Sequence, residues 1–337
     1  MTYNVTLPVL PMKAFLKNLL PWIVTLTALY FAFKGLDWDT FFLHFLAGSP
    51  VLLLLAMAIM CVSYIIRGAR WPLLLPHPQL KFLDSLKVLI LGFFMNNVLP
   101  ARAGEFVRAH VGSKVIQERR TRVLASIFGE RLADGITISL LFGIFAVKMG
   151  DSNLSNNFML VALGFGAIGL GVILVIALRE QVFSLVAKLS ERFQGKASQF
   201  ALKRAHIFVD GLSPLCDKRK IVQITILSFT VWLVELIVYF TISRAYGADL
   251  SFAQCVLFLV AVNFAGLIPA APGGLGVIEA VGSAILISLG VPRELALTLV
   301  VTQHIMQYLV VGIPGAFILG TLKKYLASLE EPEEVTA

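Results

Sequence analysis

Long apolar runs interrupted by short charged segments set the pattern of this chain. Runs over 19–33, 50–66, 122–147, 157–178, 221–243 and 295–321 predict full helical spans, most near the roughly 20 residues a bilayer crossing needs; the first is short and extends outward from Met12. Two further runs, 82–99 and 252–268, each end in a helix break followed by a shorter arm, 104–115 and 275–291. The first break reads Asn96-Asn97-Val98-Leu99-Pro100-Ala101-Arg102-Ala103-Gly104-Glu105, and it returns in altered form between Asn263 and Glu279. Each copy carries Leu/Ile-Pro-Ala, at Pro100 and Pro269, a glycine four residues after the proline, Gly104 and Gly273, and soon a glutamate, Glu105 and Glu279. Proline removes a backbone donor and glycine removes the side-chain restriction, so both stretches stop a helix inside apolar sequence. Freed backbone groups have no water to bond in lipid, so such breaks belong where protein or a wet cavity lines them. Two breaks in corresponding positions point to a transport site.

Charge decides how the two broken units sit. Arg67, Arg70, Lys81 and Lys87 precede or begin the first, and Arg108, Lys114, Arg119, Arg120 and Arg122 follow it. Basic residues on both sides place both ends in the cytoplasm, so the unit enters and returns. The second is bounded by Asp249 and by Arg293-Glu294, which predicts entry from the opposite face. With the N-terminus inside, segments 34–49 and 148–156 fall outside, whereas the basic loop 179–220 and Lys323-Lys324 fall inside. Three full spans separate the hairpins, so the copies are expected in opposite orientation. The expected fold is an all-α polytopic membrane protein of about six spans plus two re-entrant hairpins arranged as an inverted repeat. Residues 1–329 form one membrane domain, with repeat cores at 82–148 and 252–321, and 330–337 form a disordered acidic tail. In the loop 179–220, Phe183, Val186, Leu189 and Phe193 recur at helical spacing among Lys188, Arg192 and Lys196, which suits a helix on the inner leaflet or a cytoplasmic helical hairpin.

Composition agrees. Of the 337 residues 58% are hydrophobic and 14% charged, with a mean hydropathy of +0.85, against about 25% charged in soluble domains. The net charge of +8 comes without a basic run interleaved with aromatics, so no nucleic-acid partner is expected. Cys61, Cys216 and Cys255 lie far apart without CxxC spacing, and neither a metal site nor a disulfide framework is expected. Lys13 and Lys17 before an apolar run suit a signal peptide, but no clear cleavage site follows and the first helix is read as retained.

Within the spans a few ionisable residues carry the candidate chemistry. Glu130, Arg131 and Asp134 lie about 12–18 Å inward from Arg122 at about 1.5 Å per residue, near mid-membrane, and each costs about 2.5–3.5 kcal/mol there. They mark either a polar path or a neutralised ion pair that holds the bundle. Gln303, His304 and Gln307 repeat the same i, i+1, i+4 spacing in the last span, so the two trios are expected to meet. Arg102 and Glu105 at the first break, with Asn96 and Asn97 before it, offer a phosphate site, because a guanidinium binds phosphate bidentately. Arg108 is read as an inner-surface positive charge. Pro272-Gly273-Gly274-Leu275-Gly276 is flexible but lacks the lysine of a nucleotide loop. Glu235 has no sequence-local partner and is expected to pair with Arg131 or a proton.

The first break, the span Arg122-Val123-Leu124-Ala125-Ser126-Ile127-Phe128-Gly129-Glu130-Arg131-Leu132-Ala133-Asp134-Gly135 and the stretch Pro272 to Ala280 together resemble the flippase-like family that includes the membrane region of lysylphosphatidylglycerol synthases. The resemblance covers nearly the whole chain. It implies movement of a lipid headgroup between leaflets along the two breaks and the Glu-Arg-x-x-Asp trio. After Leu322 only a short tail follows where the synthases carry a large catalytic domain, so lipid aminoacylation is not expected. The expectation is a lipid flippase or scramblase in a prokaryotic plasma membrane, with both termini cytoplasmic, no cofactor and no enzymatic activity. Arg102 and Arg131 would receive phosphate, Glu130, Asp134 and Glu235 would balance charge, take a cationic headgroup or carry protons, and Gln303, His304 and Gln307 would line the other half. Membrane lipids are the expected substrates, and a homodimer and a separate lipid-modifying enzyme or glycosyltransferase the partners it allows. The alternatives are a secondary transporter of a small anion and an intramembrane lipid or glycosyl transferase.

Overall fold

A computed structural model describes residues 12–76, 80–146, 196–268 and 270–330, with isolated positions between 164 and 184. Regular structure among them is helical: α1 Met12–Phe33, α2 Trp38–Ala47, α3 Pro50–Arg70, α4 Phe82–Val98, α5 Gly104–Val115, α6 Arg120–Ala146, α7 Lys196–Gly211, α8 Lys218–Ala245, α9 Phe252–Ala265, α10 Val277–Ser288 and α11 Arg293–Glu330. The expected span 157–178 (isolated positions apart), the amphipathic pattern Phe183 to Phe193, Pro269 and the tail beyond Glu330 lie outside the described residues.

Pro50–Leu74, Lys218–Ala245 and Arg293–Leu322 are long and apolar enough to cross a membrane. Of the other expected spans, α1 contains Pro21, which leaves only the short apolar stretch Pro21–Phe33, and α6 carries three charges within five residues, Glu130 to Asp134. Segment 34–49, between the first two expected spans, contains α2, whose first turn is capped by Asp37 accepting from the Asp39 and Thr40 amides. α11 continues to Glu330, the residue at which the tail was expected to begin.

The first break forms where the sequence puts it. Leu99, before Pro100, is extended (φ −102, ψ 142), since proline disfavours the α region in its predecessor. Pro100–Arg102 makes a single 3-10 turn and α5 starts at Gly104, packing back on α4 as a hairpin. A Cβ on Gly104 would lie 2.4 Å from the Asn96 amide nitrogen and 2.4 Å from the Gly92 carbonyl oxygen, backbone atoms that cannot move aside. α9 and α10 form the second hairpin across the 3-10 turn Pro272–Gly274. There Gly273 has φ +69, and a Cβ on it would fall 1.8 Å from the Tyr308 hydroxyl.

A buried polar core ties α3, α5, α6 and α8 together. Arg67 and Arg70, one turn apart at the end of α3, both reach Asp134 of α6, at 3.3 and 2.6 Å. Arg70 also donates to Ser228 Oγ at 2.7 Å, and the Trp232 indole donates to Asp134 at 3.1 Å, so α8 joins the same carboxylate. Glu235 accepts from Ser63 and pairs with Arg67 at 3.5 Å; the expected partner Arg131 is not the one it finds. Arg108, expected at the inner surface, is buried and forks onto Glu130 with bonds of 3.2 and 2.7 Å, its guanidinium 4.4 Å from the Trp71 ring centre. Sequence pattern favoured the surface because an arginine at a membrane boundary and one folded inward look alike until the neighbouring helix is known.

Removing one partner of a buried ion pair leaves an uncompensated charge, at about 3–5 kcal/mol. Asp134→Asn, which strips a carboxylate from Arg67 and Arg70, is therefore expected to lower the thermal midpoint and the yield of monodisperse protein sharply. Both are read by fluorescence-detected chromatography of heated detergent extracts. Gly104→Ala is expected to behave similarly. Gly143→Ala, where a Cβ meets nothing within 4 Å among the described residues, is expected to match or exceed the parent by about 0.5–1 kcal/mol.

Candidate functional site

The two breaks touch, and a cavity of about 180 Å³ lies between them. A buried water needs only about 10–15 Å³, so the space suits a headgroup-sized polar group. Asn96, Asn97 and Arg102 come to it from the first break, Asn263, Gly266, Gly273 and Gly274 from the second, Arg131 from α6 and Gln307 from α11. Leu267 and Ile268 also line it while 47% and 45% exposed, so its rim is apolar and open at the protein surface.

Arg102 fixes the geometry. Its backbone sits at φ +55, a left-handed conformation costing about 1–2 kcal/mol for a residue with a Cβ. That turn aims the side chain across the gap, where Nε donates to the Gly266 carbonyl at 2.7 Å, just past the end of α9. Gly266 gives it room: a Cβ there would be 3.0 Å from the guanidinium. Among the described residues Arg102 forms no salt bridge, whereas Arg131 is shared by Glu105 at 3.3 Å, Glu130 at 3.3 Å and Asp134 at 4.0 Å. Asn96 Oδ1 and Asn97 Nδ2 are buried without a hydrogen-bond partner among the described residues. Buried amides without partners cost about 1–3 kcal/mol each, which a polar guest would offset.

The second break is held by a separate set of bonds. His304 Nδ1 is 2.6 Å from Glu279 Oε1 and its Nε2 is 3.1 Å from the Gly273 carbonyl. The other Glu279 oxygen accepts the Gly276 amide at 2.6 Å, and Tyr308 donates to the Pro272 carbonyl at 3.1 Å. Both imidazole nitrogens thus face acceptors. A neutral imidazole offers one donor, so with both bonds made the His304–Glu279 pair holds one extra proton and is neutral as a unit. From α1, Thr25 Oγ1 donates to the Leu275 carbonyl and accepts from the Ala271 amide.

Of the residues expected to line a path, Asn96, Asn97, Arg102, Arg131 and Gln307 meet at the cavity. Glu130, Asp134 and Glu235 are buried in the ion-pair core, Glu105 is tied to Arg131, and Glu279 and His304 brace the second break. Gln303 is buried behind Gln307, with its amide 3.5 Å from it. The two trios do not meet as trios: one member of each reaches the cavity. The breaking residues Pro100, Gly104, Pro272, Gly273, Gly274 and Gly276 form the two turns; Pro269 is outside the described residues. Two groups were missed. Asn263 lines the cavity, and its place in the repeated motif, corresponding to the asparagines of the first break, was the available signal. Arg67 and Arg70 had one too, since i, i+3 spacing at the end of an apolar helix puts both on one face.

The family described as the lysylphosphatidylglycerol synthase TM region matches residues 18–315. A UPF0104 membrane protein of Pyrococcus horikoshii, PH1989, is 23% identical over 301 residues, which cover 82% of this chain and 88% of that protein. A UPF0104 membrane protein of Methanothermobacter thermautotrophicus is 24% identical over 296 residues, 79% and 80% of the two chains. Glycosyltransferase AglD of Haloferax volcanii is 26% identical over 328 residues, 86% of this chain and 52% of that protein. No solved structure matches. AglD corrects one expectation: a relative sharing most of this chain bears the name of an enzyme, so the exclusion of enzymatic activity, drawn from the want of a soluble catalytic constellation, does not stand. With the match running through both hairpins and the buried ion-pair core, the chain belongs to the family of the lysylphosphatidylglycerol synthase membrane region.

Proposed function

We propose that this membrane protein moves the polar headgroup of a phospholipid or glycan-carrier lipid between leaflets, through the cavity at which its two helix breaks meet. One observation carries the reading: a cavity lined by asparagines and by an arginine that has no salt bridge among the described residues opens at a rim of exposed apolar side chains, Leu267 and Ile268. A headgroup phosphate fits the first feature, because a guanidinium forks onto its oxygens. Acyl chains fit the second, since they remain in lipid while the headgroup is inside. A carrier for a small soluble anion would have use for the arginine but none for the apolar rim. In this reading the hairpins enter from opposite faces as an inverted repeat, with both termini and most of the basic residues on the cytoplasmic side. Rocking of one repeat against the other then exposes Arg102 to each leaflet in turn. The name of AglD supports a second reading, an intramembrane transferase acting on a lipid-borne group. It predicts a covalently altered lipid.

Leaflet exchange of labelled lipids in proteoliposomes tests the proposal. Wild type is expected to exceed protein-free vesicles, and Arg102→Gln to lose at least about tenfold in rate, the cost of about 1.4 kcal/mol of headgroup binding. Rates equal to protein-free vesicles for every lipid, with and without an imposed proton gradient, overturn it. A new lipid mass in the same vesicles moves the assignment to the transferase.

A further inference from the structure

The interior charges nearly cancel, and the residue of that cancellation bears on which headgroup the site takes. Four arginines, Arg67, Arg70, Arg108 and Arg131, face four carboxylates, Glu105, Glu130, Asp134 and Glu235, and each carboxylate lies within 4.0 Å of at least one of them. The His304–Glu279 pair is neutral as a unit when both imidazole bonds are made. Among the described residues Arg102 is left over as one positive charge without a salt bridge, and it lines the cavity beside Arg131, whose charge its carboxylates already meet. None of the described residues lining the cavity is acidic.

Resting on the reading above, we propose that the site is selective for a headgroup bearing a single negative charge, a phosphodiester oxyanion with uncharged substituents, and that Arg102 sets this selectivity. A monoanion brings the interior to neutrality. A diphosphate brings excess negative charge into a medium of low dielectric, where uncompensated charge is expensive. A cationic headgroup, such as an aminoacyl ester, meets Arg102 with no free carboxylate among the described interior residues to receive its ammonium, because arginines hold four of these acids and His304 holds Glu279. The unpartnered amides of Asn96 and Asn97, with Gln307, suit hydroxyl-bearing substituents on the phosphodiester, since an amide both donates and accepts. Lipid phosphodiesters and their soluble tail-free counterparts share this chemistry. The rim separates them.

Binding of short-chain lipids to the purified full chain in detergent, read by isothermal titration, is the test. The probes are dihexanoyl phosphatidylglycerol, its lysyl ester, a short-chain prenyl diphosphate and tail-free glycerophosphoglycerol. Phosphatidylglycerol is expected to bind at least about tenfold more tightly than the lysyl ester or the diphosphate, and Arg102→Gln to abolish that preference. Asn97→Ala is expected to weaken phosphatidylglycerol binding while leaving the order of the three lipids unchanged, which separates loss of charge selection from loss of fit. Equal binding of the lysyl ester, an unchanged preference in Arg102→Gln, or no binding of phosphatidylglycerol overturns the inference. Equal binding of glycerophosphoglycerol assigns the site to soluble phosphodiesters; charge selection then stands and the lipid reading falls. Leaflet exchange without charge selection would do the reverse.

Discussion

Charge that cannot reach water must be cancelled where it lies, and the interior of this protein is arranged around that requirement. Asp134 is its centre: two arginines of α3 and an indole of α8 converge on one carboxylate of α6, so three helices are held in register by a single side chain. Ion pairs of this kind are weak evidence of net stability. Their value here is positional, because none of the three helices can slide or rotate without leaving a charge alone.

That rigid core gives the breaks something to lean on. Arg131 belongs to both worlds, sharing Glu130 and Asp134 with the core while lining the cavity. Among the described residues Arg102, by contrast, is anchored only to a backbone carbonyl across the gap. One arginine is thus immobilised by carboxylates and the other keeps most of its donors available. If the site captures and releases an anion, as proposed, a second fully committed arginine would lend position without affinity, and a second free one would hold the anion too well.

The helices and their interruptions were legible because their causes are local. Pro100 with its extended predecessor, the glycines of the second turn and the apolar runs between them act within a few residues. Pairings were not legible, because they depend on which helices cross. Glu279 and His304 were each singled out, yet nothing 25 residues apart in sequence announces that they meet. Arg67, Arg70 and Arg108 were taken for boundary charges because the positive-inside pattern and a buried fork draw on the same residue type. The trios of α6 and α11 were recognised by spacing, and the spacing was real; the neighbours then claimed most of their members for bracing and left one from each for the cavity.

Thr25 holds a further consequence. Its hydroxyl bridges Leu275 and Ala271, about 250 residues later in the chain, and the Arg293 guanidinium likewise reaches the carbonyl of Ala32 at the end of α1. α1 therefore carries part of the surface on which a hairpin about 250 residues later closes. Until that hairpin is synthesised, the Thr25 hydroxyl lacks these two partners and the cavity has only one wall. The two walls of the cavity thus meet only after residues far apart in the chain have been made, and the bonds of Thr25 then join α1 to the second of them.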